Sequence, residues 1–181
     1  MMNKTIVSLL GAGGLLLAAG SVLADDDWGW SRRGPDVAPV KNELYKSECG
    51  TCHFAYQPGL LPAQSWKKLM GSLADHFGEN AELDSETQKQ LTEYLVMHAA
   101  ETSDTRRSAK ILNSLGNEAP LRITDVPYIR YKHGEIPTRL IRGNDKVRSL
   151  SNCAACHTRA DTGSFAEREI VVPGAGRWED D

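Results

Sequence analysis

Apolar residues recur every three or four positions in several stretches of this chain, so helices dominate the predicted architecture. From Ser65 as N-cap, Trp66, Leu69, Met70, Leu73 and Phe77 form one stripe, which Gly78 ends. A second strong pattern starts near Ser85, where Gln88 completes a capping box and Leu91, Tyr94, Leu95 and His98 share an inner face. Upstream, Val40, Leu44 and Tyr45 belong to a short amphipathic helix that runs into Cys49-Gly50-Thr51-Cys52-His53. A polar segment, 101–105, precedes a helix from Thr105 to Leu115 that Gly116 stops. Thr124-Asp125-Val126-Pro127 reads as a cap with proline in the first turn, opening a short helix to His133 that Gly134 terminates. Asn144 or Asp145 caps a further helix carrying Val147 and Leu150 into Cys153-Ala154-Ala155-Cys156-His157, and 170–173 is a short extended segment.

The ends of the chain follow different rules. Lys4, the nearly uncharged stretch from Thr5 to Leu23 and the sequence Val22-Leu23-Ala24 describe an export signal, residues 1–24, cut after Ala24. An uncleaved anchor is the alternative, but the small residues before the acidic run Asp25-Asp26-Asp27 favour cleavage. Residues 25–39, with two tryptophans, two arginines and two prolines but no periodicity, read as a flexible, solvated leader. The whole chain carries 21 basic and 24 acidic residues, a formal charge of −3, and loses Lys4 with the signal. An acidic mature chain gives no electrostatic reason to bind nucleic acid.

The two five-residue patterns use all four cysteines and place a histidine directly after each second thiol. Positions i, i+3 and i+4 share one face of a helical turn, so both thiols can reach the vinyl groups of one porphyrin while the imidazole meets its iron. Zinc sites and disulfides use paired cysteines too, but neither explains a histidine after each pair. The chain is therefore expected to hold two covalently bound c-type haems, attached through Cys49, Cys52, Cys153 and Cys156, with His53 and His157 as axial ligands. Such haems are attached outside the cytoplasmic membrane, which agrees with the export signal and points to the periplasm. Two motifs so far apart suggest two small units, 40–102 and 103–181, each stabilised by a porphyrin that supplies missing apolar surface. The loop 54–62, rich in proline and apolar residues, suits the edge of the first haem.

For the second axial position of each iron, His76, His98 and His133 remain, along with Met70 and Met97. Met70 lies within an apolar stripe and reads as core, whereas Met97 falls off its stripe. Periodicity does not choose between His76, at the border of its stripe, and His98, near the centre of its own. His133 is the non-motif histidine of the C-terminal unit and ends a short helix, where an imidazole can project from a loop.

Four stretches, 48–62, 73–81, 131–137 and 151–157, resemble the dihaem cytochrome c family, and the match spans nearly the whole mature chain. The resemblance implies a mainly α protein of two small haem-binding units, the N-terminal one similar to a class I cytochrome c and the C-terminal one less regular. It implies bis-histidine ligation, with His76 completing the first haem and His133 the second. His98 becomes the reserve candidate, and a crossed pairing of histidines and haems stays open. A family member is expected to be a periplasmic electron carrier with no catalytic residues, working by outer-sphere transfer between a membrane or soluble donor and a haem-protein acceptor. The expected acceptor is a small c-type cytochrome that binds oxygen or other diatomic ligands, and the expected donor a membrane cytochrome b, with transient contact at the membrane. The competing class is a haem enzyme or diatomic-ligand sensor with one reactive iron, peroxidase-like or a sulfur-compound oxidoreductase. A peroxidase needs a vacant distal side, and a cysteine-ligated sulfur enzyme needs a fifth cysteine that the chain does not have.

Overall fold

The computed structural model describes residues 34–178, so the expected signal and residues 25–33 of the leader lie outside the described residues. The chain is mainly helical. Among the described residues are six α-helices: α1 (Glu43–Cys49), α2 (Ala63–Met70), α3 (Ser85–Met97), α4 (Arg106–Leu115), α5 (Pro127–Lys132) and α6 (Thr138–Ile141). A small antiparallel hairpin follows, β1 (Val171–Val172) with β2 (Gly176–Arg177), in which Val171 pairs with Arg177 and Val172 with Gly176.

Local chemistry explains the helix boundaries. Asn42 opens α1 by accepting from the Tyr45 amide at 2.8 Å, whereas Thr105 precedes α4 with its hydroxyl paired to that of Ser108 and not to a helix amide, and Gly116 ends α4 at a φ of 55°. At α3 the cap is Asp84, which accepts from Glu86 and Thr87. Gln88, expected to close a capping box there, instead donates to the Met70 carbonyl and ties α3 to α2. Helix α2 departs further from expectation. It begins at Ala63, whose amide donates to both oxygens of the Glu101 carboxylate at 3.1 and 2.9 Å, so Ser65 lies inside the helix and is buried. An anion on exposed N-terminal amides suits both their unpaired hydrogens and the helix dipole.

The same helix ends at Gly71, not Gly78. Leu73 is buried in a short 3-10 turn, Leu73–Asp75, while Phe77 beyond it is 43% exposed, so the expected stripe breaks up after Met70. Near the second motif, the helix expected from Asn144 is absent: the Val147 and Arg148 amides both donate to the Asn144 carbonyl, and Arg148 takes a left-handed φ of 65°. Two apolar residues one turn apart are too few to hold a helix against that turn.

One hydrophobic cluster joins Tyr45, Leu61 and Trp66 to Leu91 and Leu95 of α3, Ile111 and Leu115 of α4, and Val126. It crosses the polar segment 101–105 without interruption. The Ser108 hydroxyl donates to the Gly59 carbonyl at 2.8 Å, and the Ala100 amide donates to the Leu61 carbonyl at 3.0 Å. The end of the supposed leader belongs to the packed structure as well. Val37 is fully buried, its amide donates to the Gly163 carbonyl at 3.1 Å, and Asp36 accepts from the Phe165 amide at 2.6 Å. These residues show no periodicity because they are held as a strap, by backbone pairing and one buried side chain, and not as a helix or strand of their own.

Candidate haem sites

Two pairs of histidines face each other. The ring centres of His53 and His76 are 6.1 Å apart with planes inclined by 24°, and those of His133 and His157 are 6.0 Å apart with planes inclined by 68°. Two imidazoles bound from opposite sides to one metal, with metal–nitrogen bonds of about 2 Å, place their ring centres roughly 6 Å apart. The donor set fits a six-coordinate iron at each pair. Each pair also contains the histidine of a Cys-x-x-Cys-His pattern, and all four cysteines are free.

In the first pair, His53 follows α1 and donates from Nδ1 to the Phe54 carbonyl at 2.8 Å. A carbonyl only accepts, so Nδ1 carries the proton and the Nε2 lone pair is left for a metal. His76 reaches its position because α2 stops early. After a single 3-10 turn over Leu73–Asp75, the His76 amide donates to the Glu79 carbonyl at 2.7 Å and the Glu79 amide donates back at 3.3 Å. Phe77, inside this clamped turn, has a left-handed φ of 59°, an outlier for a bulky residue. Its ring lies 4.9 Å from that of His76 and beneath the Arg122 guanidinium, 3.8 Å away. Burial, then the neighbouring His53 and Arg122, hold His76 below the usual imidazole range, in the neutral form that ligates metals.

The second pair is built from loops. His133 caps α5 and donates from Nδ1 to the Ile129 carbonyl at 2.7 Å. Cys153 and His157 share one helical turn, closed by the His157 amide on the Cys153 carbonyl at 2.9 Å. The Val171 amide donates to Cys156 at 3.0 Å and fastens this turn to the hairpin. Burial, then His133 and Arg107, push His157 down to about 4, against the opposing influence of Asp36. Phe165 lies edge-on to His157 at 5.2 Å, and Arg107 sits over Phe165 at 5.8 Å. A cavity of about 940 Å³ opens between His133, His157, Cys153, Cys156, Ile129 and Phe165. That volume falls in the range of roughly 300–1,000 Å³ of cofactor sites, and its lining is largely apolar, as a porphyrin requires.

His98 lies elsewhere. It is exposed at the C-terminus of α3, not on the inner face, and its Nδ1 donates to the Tyr94 carbonyl at 2.8 Å. Met70 is buried in the core and Met97 is 62% exposed. Sequence patterns did not single out Tyr56, Phe77, Arg122, Asp36, Arg107 or Phe165 as neighbours of the pairs. Tyr56 follows the first motif and Phe77 follows His76, whereas Phe165 and the charged neighbours arrive from distant segments and leave no local signal.

A family model for "Dihaem cytochrome c" matches residues 45–165. Solved structures are similar over most of the chain. A diheme cytochrome type c from Shewanella baltica OS155 is 39% identical, with a TM-score of 0.65, covering 77% of this chain and 99% of that one. A diheme cytochrome c from Rhodobacter sphaeroides is 44% identical, with a TM-score of 0.63, covering 71% and 100%. A second Rhodobacter sphaeroides structure is 42% identical, with a TM-score of 0.57, covering 70% and 99%. No curated protein matches.

Proposed function

The chain belongs to the dihaem cytochrome c family, and on that premise we propose that it is a periplasmic outer-sphere electron carrier, not an enzyme, with His53 and His76 closing one iron and His133 and His157 the other. Two c-type haems come with the family, and each supplies one electron between its ferric and ferrous states. The observation that carries the reading is the equal spacing of the two histidine pairs, 6.1 and 6.0 Å, each beside its own thiol pair. The chain's own residues do the rest. Cys49 and Cys52, and Cys153 and Cys156, fix each group covalently. The Nδ1 bonds of His53 and His133 aim the opposite nitrogen at the metal. A site filled from both sides leaves no position for oxygen, peroxide or a small anion, which separates a carrier from the peroxidase, sulfur-oxidoreductase and sensor alternatives.

Export after Ala24 places the carrier outside the cytoplasmic membrane. An acidic mature surface favours a basic docking face on the partner, with weak, salt-sensitive association. A small c-type haem protein that binds diatomic ligands is the proposed acceptor, and a membrane cytochrome b the proposed donor. Carbon monoxide tests the reading directly. The reduced holoprotein is expected to leave its spectrum unchanged under the gas, and stoichiometric binding at either iron would overturn the assignment.

A further inference from the structure

The loop after the first attachment motif grips the second motif on both sides, through two consecutive residues. The Tyr56 hydroxyl donates to the Ser151 carbonyl at 2.6 Å, two positions before Cys153. The buried Gln57 side chain donates to the Ala160 carbonyl, three positions after His157. Buried Tyr45 fixes this loop from the other side, its hydroxyl donating to the Tyr56 carbonyl at 2.9 Å. At the same time the Tyr56 ring lies against His53, with centres 5.0 Å apart and planes inclined by 26°. A single side chain thus touches an axial imidazole of the first site and the backbone leading into the covalent attachment of the second.

We propose that Tyr56 is the bridge through which the two haem sites are electronically connected. This inference rests on the electron-carrier reading above. Tunnelling decays less steeply through bonded, hydrogen-bonded and closely stacked atoms than across an open gap. The contacts here form one continuous path: the His53 ring, the Tyr56 ring and hydroxyl, the Ser151 carbonyl, and two residues of backbone to Cys153. Along it, the electron lost by one centre is the electron gained by the other, and no bond forms or breaks. The phenol keeps its proton throughout, because the Ser151 carbonyl it bonds can only accept. Tyr56 is a positioning and conducting residue, not a catalytic one.

The test uses full-length holoprotein as wild type, Tyr56→Phe and Tyr56→Leu. Each is given less than one electron per molecule by flash photoreduction, and equilibration between the haems is followed by freeze-quenched electron paramagnetic resonance. Tyr56→Phe keeps the ring and removes the hydroxyl. It is expected to equilibrate several-fold more slowly once any change in the potential difference is allowed for, with both low-spin signals unmoved and only the small fall in melting temperature that one lost hydrogen bond carries. Tyr56→Leu is expected to be slower still and to shift the low-spin signal of the His53 site. A wild-type rate in Tyr56→Phe overturns the bridge. So does a slower rate accompanied by altered low-spin signals in that variant, which would make Tyr56 a packing residue only. A high-spin centre in resting wild-type protein would instead overturn the bis-histidine reading, whatever the rates.

Discussion

The two histidine pairs agree in spacing to 0.1 Å and differ in ring angle, 24° at the first and 68° at the second. The common spacing is what one six-coordinate metal requires of any two imidazoles. The angle is set by each site's surroundings. At the first, Tyr56 lies nearly parallel to His53, while the clamped turn 76–79 presents the opposing ring. At the second, Phe165 stands edge-on at 63° to His157, and His133 hangs from the end of a six-residue helix. The first site is thus braced by Tyr56 beside its motif and by Arg122 over Phe77, and the second by a strap more than 120 residues away that reaches it through Asp36 and Phe165. The two pairs share one spacing and differ in the orientation that their neighbours impose.

Removing a ligand gives the largest effect expected. His133→Ala should convert the second iron to a high-spin or water-ligated state and leave the first low-spin, as read by electron paramagnetic resonance of the oxidised protein. His76→Met should alter the first centre alone, while His98→Ala should change neither. An unchanged spectrum in His76→Met would break the pairing and move the first ligand to His98.

The pairing itself was beyond the reach of periodicity. The stripe Trp66, Leu69, Met70, Leu73, Phe77 continues across Gly71, so a helical pattern hides the turn that brings His76 to His53. Helices α3, α4 and α5 were legible from their apolar stripes and from Gly116, Pro127 and Gly134 at the ends of α4 and α5, although the capping box at Gln88 does not form and α5 opens at Val126 without a side-chain cap. The turn 144–149 and the single-turn helix α6 were not, since α6 has four residues and 144–149 carries a single apolar one, Val147. The second site's strap was illegible for a different reason. Asp36 and Phe165 are 129 positions apart, and neither shows any local sign of the other.

The strap provides the next way to break the comparison. A Cβ on Gly163 would lie 2.0 Å from the Val37 carbonyl oxygen, at a φ of +78°. The backbone must therefore separate there, at a cost of about 2–3 kcal/mol. Gly163→Ala should lower the melting temperature by roughly 5–10 °C in a chain of this size, and the second low-spin signal should broaden or shift while the first stays put. Equal disturbance of both signals would show that the strap serves the common core, not the second site.

Ring angle makes a smaller and purely spectroscopic prediction. Imidazole planes near parallel split the two iron π orbitals, whereas planes near perpendicular leave them almost degenerate and raise the anisotropy of the low-spin signal. The wild type should therefore show one ordinary rhombic signal and one strongly anisotropic signal. Phe165→Leu, which frees the His157 ring, should make the second approach the first. Two rhombic signals in the wild type would contradict the observed angles.

The smallest effect concerns charge, and it is confined to the second site, where two variants act with opposite sign. Asp36 and Arg107, 3.7 Å apart and mostly buried, both act on His157 in opposite senses. A negative charge favours the ferric state of a nearby iron and a positive one the ferrous state. Asp36→Asn, which keeps an acceptor for the Phe165 amide, should raise the second potential, and Arg107→Gln should lower it. A unit charge near a partly buried centre is worth on the order of 1 kcal/mol after screening, or roughly 40 mV for a one-electron couple. Potentiometric titration of the two variants should find these opposite shifts in one of the two couples, with the other unmoved. The double variant should fall between the two single ones, because the two charges act on His157 in opposite senses. Shifts of the same sign, or shifts shared by both couples, would mean that the ion pair acts through the packing of the strap and not through its field.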